Sequence, residues 1–144
     1  MGLDSRWLLV AAAVLVESVG GLGYIFSVYS DRLKVEFSLG QAETDLLGTL
    51  SNLASTFGLH IGLLQDSVGP TPVLAIGGVL GVGGWLPLHF ALARTGGWRC
   101  PYWMLAMMSV FQGHQMLITD VAVVPAVARS FPRQRGLALG LVKR

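Results

Sequence analysis

Ionisable side chains within long apolar stretches are the residues of this sequence best placed to do chemistry. Glu17 lies in the middle of one such stretch and Asp120 within another. A charge at the centre of a bilayer is unfavourable by at least about 2.5 kcal/mol, so it needs a partner, water or a proton. Gly20, Gly21 and Tyr24 share the helical face of Glu17. Glu17 therefore either faces an aqueous cavity and binds substrate or a proton, or fixes helix packing while protonated.

Asp120 belongs to a polar sector of its own stretch, together with Gln112, Gln115 and Thr119. One interpretation pairs Asp120 with a basic residue near the membrane surface, such as Arg129. His60 falls at a similar depth on another apolar stretch and could pair with Asp120. A single histidine in a membrane is, however, more often a packing or hydrogen-bonding residue than a proton relay.

Catalytic, cofactor and metal patterns are absent from the sequence. It contains no phosphate-binding glycine loop, no H-E-x-x-H and a single cysteine, Cys100. Glu17, Asp120 and His60 lie on three separate stretches without the spacing of a metal site. The formal charge of +2, with no basic stripe, also argues against nucleic acid as a partner. We therefore expect neither an enzyme nor a cofactor or metal site.

Composition indicates that the main partner of this chain is a lipid bilayer. Apolar residues make up 53% of the sequence and charged residues only 12%, and the mean hydropathy is +0.62. The charges fall mainly in short clusters between long uncharged stretches, whereas a soluble domain would spread them over every element. The 19 glycines suit close packing of helices in lipid. We expect a multi-pass membrane protein.

The apolar stretches predict one partial transmembrane domain over residues 1–144. A membrane-spanning helix needs about 20 mainly apolar residues. The first stretch, ending near Tyr29, is longer than the apolar core of a signal peptide, which is the competing interpretation. The predicted spans are residues 7–29, 46–65, 73–93 and 101–127, with the beginning of a fifth at 136–144.

A polar corner separates the second and third predicted spans and reads as a hairpin. Gly62, Leu64, Asp66 and Gly69 reproduce the pattern G-x-L-x-D-x-x-G. This pattern resembles the signature loop between the second and third spans of major facilitator superfamily transporters. Positions that are usually basic in that loop hold Ser67 and two further residues, Pro70 and Thr71.

Two further stretches resemble the nodulin-like branch of that superfamily. Residues 6–34 are similar to its first span, with a glycine-rich G-x-G-Y segment. Its F-P-x-x-R-G-x-x-x-G-x-x-K entry to the fifth span is matched by Phe131, Pro132, Arg135, Gly136, Gly140 and Lys143. Gln112 and Gly113 resemble part of the fourth-span motif, although Ser109 replaces its arginine. The resemblance covers nearly the whole chain from Arg6 onward.

The resemblance implies an all-α polytopic helix bundle corresponding to part of the N-terminal half of a major facilitator fold. In such folds the first and fourth spans line the central cavity, so Glu17 and Asp120 could both face the path of a small solute. The corner would be a conformational element in which Asp66 meets a basic partner, for which Arg133 and Arg135 are candidates. The remaining spans would come from missing C-terminal sequence or from a full-length relative, so transport by these residues alone is not expected.

Charge alone does not orient the chain. The positive-inside rule compares the numbers of basic residues on the two sides of the membrane. If the N-terminus lies inside, the inner side holds Arg6, Arg129, Arg133 and Arg135, and the outer side holds Arg32, Lys34, Arg94 and Arg99. The two sides are therefore equal. A cytoplasmic N-terminus is what the resemblance implies. The sequence does not indicate which membrane holds the protein.

Two other functions remain open at the level of sequence. One is a small four-span transporter that works as an oligomer. The other is a membrane interaction protein without transport activity, which packs on a full-length relative. Gly77 and Gly81, in G-x-x-x-G spacing, would supply its contact face. In a polytopic protein, however, such a face usually packs against a neighbouring helix of the same chain.

Overall fold

The computed structural model describes residues 3–93 and 100–143, and every regular element in those ranges is helical. The α-helices are α1 (Leu3–Gly20), α2 (Phe26–Phe37), α3 (Gln41–Thr56), α4 (Leu59–Val68), α5 (Pro70–Leu92), α6 (Tyr102–Ser130) and α7 (Arg135–Val142). A 3₁₀ turn, Gly21–Ile25, joins α1 to α2. The predicted all-α fold is confirmed. The arginines at 94 and 99, and most of the loop predicted around them, lie outside the described residues.

Helix α2 continues eight residues past Tyr29, where we had placed the end of the first span. The charged segment 31–45, between the first two predicted spans, is therefore largely helical. Its charges fit a helix because Leu33 is buried while Asp31 stays exposed and pairs with Lys34. A turn follows α2: Ser38 adopts the left-handed conformation, and α3 begins at Gln41.

The second predicted span is divided in two at Phe57 and Gly58, between α3 and α4. Side chains just before the break hydrogen-bond backward: the Ser55 and Thr56 hydroxyls both donate to the carbonyl oxygen of Asn52. Such bonds compete with the helical ladder and favour bends. The glycine that follows lowers the stability of a continuous helix further.

The corner between α4 and α5 is a single residue, Gly69. Its φ of +87° is readily adopted only by glycine. Pro70 then occupies the first turn of α5, where its missing N–H leaves no helical hydrogen bond unmade. The predicted hairpin is thus made by a glycine followed by a proline.

Helix α6 is the centre of the bundle. It contacts α1, α3, α4, α5 and α7, and its buried residues run from Leu105 to Val127. By contrast, many large apolar side chains on α1, α3 and α5 are exposed, including Leu15, Phe57 and Val79. Within the described residues, two stretches are long and apolar enough to cross a membrane, Ser5–Phe37 and Pro70–Leu92.

The small-residue face of α5 packs on α6. A Cβ atom at Gly77 would lie 2.6 Å from Cγ2 of Ile118, and one at Gly81 would lie 3.0 Å from Cγ of Gln115. The face that could have received a full-length relative is therefore already covered by a helix of the same chain. This corrects the contact surface assigned to the interaction-protein hypothesis and agrees with the usual role of such faces.

Candidate functional site: a charged cluster between three helices

Three ionisable side chains from three helices meet on one side of α6. The Lys143 ammonium donates to Oε2 of Glu17 at 3.2 Å, and it also donates to the carboxylate of Asp120. Glu17 lies on α1, Asp120 on α6, and Lys143 directly follows the last residue of α7. The sequence separations of 126 and 23 residues show that only the packing of the helices creates this cluster.

Apolar packing brings the three helices together beside the cluster. One buried group joins residues of α1, α6 and α7, namely Val10, Ala13, Val123, Val127, Phe131, Ala138 and Val142. Glycine allows α1 to approach α6 closely, since a Cβ atom at Gly20 would lie 2.5 Å from Oγ1 of Thr119. The backbone N–H of Lys143 bonds to the carbonyl of Leu139 at 2.9 Å and so holds the lysine on the last turn of α7.

The cluster borders a cavity of about 510 Å³. Its ionisable lining consists of Glu17, Tyr24, Asp120 and Lys143. The side chain of Glu17 is only 10% exposed, whereas those of Asp120 and Lys143 are each 42% exposed. The site thus has a buried carboxylate on α1 and a more open acid–base pair on the other two helices.

Charge does not balance within the cluster. Two carboxylates and one ammonium leave one uncompensated negative charge. The Glu17 and Asp120 carboxylates both contact the ammonium group of Lys143 and therefore lie next to each other. Among the described residues, the buried Oε1 of Glu17 has no hydrogen-bond donor. The arrangement can hold one additional positive charge.

The structure separates the other predicted pathway residues of α6 from Asp120. Gln112, Gln115 and Thr119 are buried, with 2%, 3% and 6% of their surfaces exposed. Gln112 accepts a hydrogen bond from the Tyr29 hydroxyl and donates to the Gly84 carbonyl. The other two border a different, mainly apolar groove of about 810 Å³ between α1 and α5.

His60 is not near Asp120, contrary to the pairing considered from sequence. It lies on α4, and its ring packs against His114 of α6 with 5.4 Å between ring centroids. His60 is not among the residues that line the cavity beside Glu17, Asp120 and Lys143. Nδ1 of His114 makes its own hydrogen bond to the Val110 carbonyl at 3.2 Å.

The polar corner has a different basic neighbour from those expected. Asp66 and Gly69 border a cavity of about 340 Å³ that also includes Arg129. Arg133 instead lines a separate cavity beside Arg6 and Trp7. The reason is that Arg129 is still on the last turn of α6, whereas the chain has turned toward α1 by residue 133. Arg135, at the first turn of α7, is exposed, and Gly62 lies within α4.

Lys143 is the site residue to which sequence reasoning assigned no role. In the sequence it is the last position of the segment that resembles the fifth-span entry. A usable signal existed: two acids in apolar stretches require a counter-charge, and Lys143 directly follows the apolar run 137–142.

Exposed apolar helices with charged groups turned toward each other define a membrane protein. The chain belongs to the Nodulin-like family, whose sequence model matches residues 6–144. The resemblance to nodulin-like major facilitator proteins is thereby confirmed.

Two curated proteins illustrate the relationship. Protein NUCLEAR FUSION DEFECTIVE 4 of Arabidopsis thaliana is 26% identical over 140 residues, covering 94% of this chain and 23% of that protein. Monocarboxylate transporter 13 of Rattus norvegicus is 26% identical over 137 residues, covering 94% of this chain and 30% of that protein. The chain therefore spans less than a third of the length of either relative. No solved structure matches it.

Proposed function

We propose that this chain forms part of a membrane transporter for a small solute, and that the Glu17–Asp120–Lys143 cluster lies on the transport path. The observation that carries the proposal is the convergence of three ionisable side chains, from three helices, on one cavity. The family, and a relative named as a monocarboxylate transporter, support a transport role.

In this proposal the chain crosses the bilayer four times. Helices α1 and α2 together form the first crossing, and α3 and α4 together form the second. Helix α5 is the third crossing and α6 is the fourth. Helix α7 would begin a fifth. Helix α5, with 23 residues, is about 35 Å long, enough to span the hydrocarbon core. Only 28% of its most apolar stretch is buried, unlike the core helix of a soluble protein. Lipid would cover the remainder.

The polar residues of α6 fit the proposed fourth crossing. They point toward neighbouring helices and not toward lipid: Ser109 and Gln112 are buried, and Gln112 is hydrogen-bonded to α2 and α5. Backbone and side-chain polar groups in a membrane must be satisfied inside the protein. This explains why α6 is less apolar than α5 although it occupies the centre of the bundle.

A path for solute explains the cluster better than a purely structural role does. Two well-packed apolar residues stabilise a bundle as well as a buried ion pair, or better, because the ions lose hydration. Ionisable groups inside membranes accordingly mark substrate or ion pathways. Here the cluster also borders open space and is not sealed by packing on every side.

The test of membrane insertion uses the 144-residue chain itself. We expect it to remain in the membrane fraction after an alkaline wash and to be extracted only by detergent. A chain that stays dissolved and monodisperse without detergent would remove the membrane assignment and, with it, the transporter proposal.

The test of the path uses a transporter that contains these residues within its full length. Glu17→Gln should reduce solute uptake at least tenfold with unchanged amounts of protein in the membrane. The matched control is Asp31→Asn, which removes a carboxylate that is 87% exposed and does not line this cavity. Full uptake by Glu17→Gln would make Glu17 a packing residue.

A further inference from the structure

We propose that Glu17 and Asp120 hold a single proton between them, with Lys143 as the counter-charge of the pair. This inference rests on the proposed function only for its role in transport. The proton binding itself follows from the charge and geometry of the cluster and is tested separately.

The charge of the cluster requires one more positive unit. With both carboxylates ionised, Lys143 compensates only one of them. An uncompensated charge in the hydrocarbon region is strongly unfavourable. Two adjacent carboxyl groups relieve this by sharing a proton, because one charge disfavours the other. Uptake of one proton from water changes the net charge of the cluster from −1 to zero.

The geometry favours a proton over a metal cation. Both carboxylates contact the same Lys143 ammonium group and so lie side by side, where a proton on one carboxyl group can be shared with the other. The buried Oε1 of Glu17 lacks a donor among the described residues, and a proton adds no volume there. A sodium ion would need several further oxygen ligands, whereas the space between the two carboxylates already contains the Lys143 ammonium.

Few other charged groups face this pair. Helix α7 contributes Lys143 and helix α6 contributes Asp120, while α1 and the 3₁₀ turn after it contribute Glu17 and Tyr24. Lys143 is the only cationic side chain among the described residues that line the cavity, so the charge balance of the pair depends on Lys143. Removing either carboxyl group should therefore leave a neutral ion pair that no longer needs a proton.

The experiment is infrared difference spectroscopy on the 144-residue chain in lipid nanodiscs at neutral pH. The carbonyl stretch of a protonated carboxyl group separates it from an ionised one. We expect the signal of one protonated carboxyl group per chain, which disappears in Glu17→Gln and equally in Asp120→Asn. Lys143→Met should double the signal, because both carboxyl groups must then be neutral.

The matched control is Asp31→Asn, which removes a carboxylate that also pairs with a lysine, Lys34 at 3.5 Å, but is 87% exposed. It should leave the signal unchanged. Circular dichroism confirms that each variant is folded, and the two single-carboxyl variants provide independent readings if one of them is not.

Two results would overturn the proposal. One is the absence of a protonated carboxyl signal in the native chain. This includes the case in which a bound sodium ion supplies the positive charge, which would appear as a difference between spectra recorded in sodium and in choline. The other is a signal that persists in both Glu17→Gln and Asp120→Asn. Neither result depends on uptake. If the proton signal is present but Glu17→Gln retains normal uptake in a full-length transporter, the transport-path proposal is wrong and the shared-proton proposal stands.

Discussion

Gly113 of α6 lies directly against the backbone of Ser51 in α3. A Cβ atom built on Gly113 would collide with the Ser51 carbonyl oxygen and lie 2.8 Å from the Cβ atom of Ala54. Neither obstacle is the movable end of a side chain. Helices α3 and α6 can therefore approach this closely only because position 113 has no side chain.

Replacing Gly113 with Ala should separate the two helices. We expect a loss of about 1–3 kcal/mol in the free energy of unfolding, the usual range for overpacking a well-filled interior. The measurement is unfolding of the purified chain in mixed micelles, followed by circular dichroism. Gly78→Ala is the control, since this α5 glycine has no atom within 4 Å of its would-be Cβ. Equal stability of the two variants would contradict the close contact.

Gly77 of α5 offers a test in which the obstacle can be removed. A Cβ atom there would lie 2.6 Å from Cγ2 of Ile118. We expect Gly77→Ala to be destabilising by itself and less so in an Ile118→Ala background, where the methyl group in the way is absent. A double-mutant cycle on unfolding free energies should give a coupling between about 0.5 and 3 kcal/mol. Additive effects would place Gly77 away from Ile118.

Tyr29 should matter to stability through its hydroxyl group. That group donates to Oε1 of Gln112 at 3.2 Å, while Nε2 of Gln112 donates to the Gly84 carbonyl at 3.4 Å. Tyr29→Phe would leave a buried acceptor on Gln112 unpaired, at about 0.6 kcal/mol for an average interhelical bond in a membrane protein. The same change with Gln112→Leu should be milder than the two single effects added together, since no orphaned acceptor remains. A full additive loss would argue against the bond.

The general class of this protein could be predicted from sequence because it depends on composition and local pattern. Long uncharged stretches predict helices in lipid, and the pattern ending in Gly69 predicts a hairpin, where the positive φ of that residue favours glycine. The family resemblance had the same local basis. Such features are independent of how the helices are arranged in space.

Contacts between helices were less predictable. Asp120 and Thr119 are neighbours in sequence, but a step of about 100° around a helix sends one into the charged cavity and the other against Gly20 of α1. The rotation of α6 relative to α1 and α7 determines which neighbour each face of α6 meets. The pattern of polar residues along α6 does not predict that rotation. For the same reason, Lys143 and not Arg129 pairs with Asp120, and Arg129 rather than Arg133 or Arg135 shares a cavity with Asp66.

Cys100 provides a final prediction, outside the apolar helices. The sequence contains one cysteine, so a thiol reagent reports on this site alone. Its side chain is packed beside Leu105 and Leu88, it is only 8% exposed, and burial raises the pKa of its thiol. Since the thiolate is the reactive form, alkylation by maleimide in the folded chain should be slow at neutral pH. Its pH profile should lie at higher pH than that of an ordinary cysteine.

The comparison is Ser67→Cys in a Cys100→Ser background, where position 67 is exposed. Rates measured by mass spectrometry from pH 6 to 10 should converge after unfolding in detergent and urea, because both thiols are then solvated. Fast labelling of folded Cys100 at neutral pH would contradict the buried position.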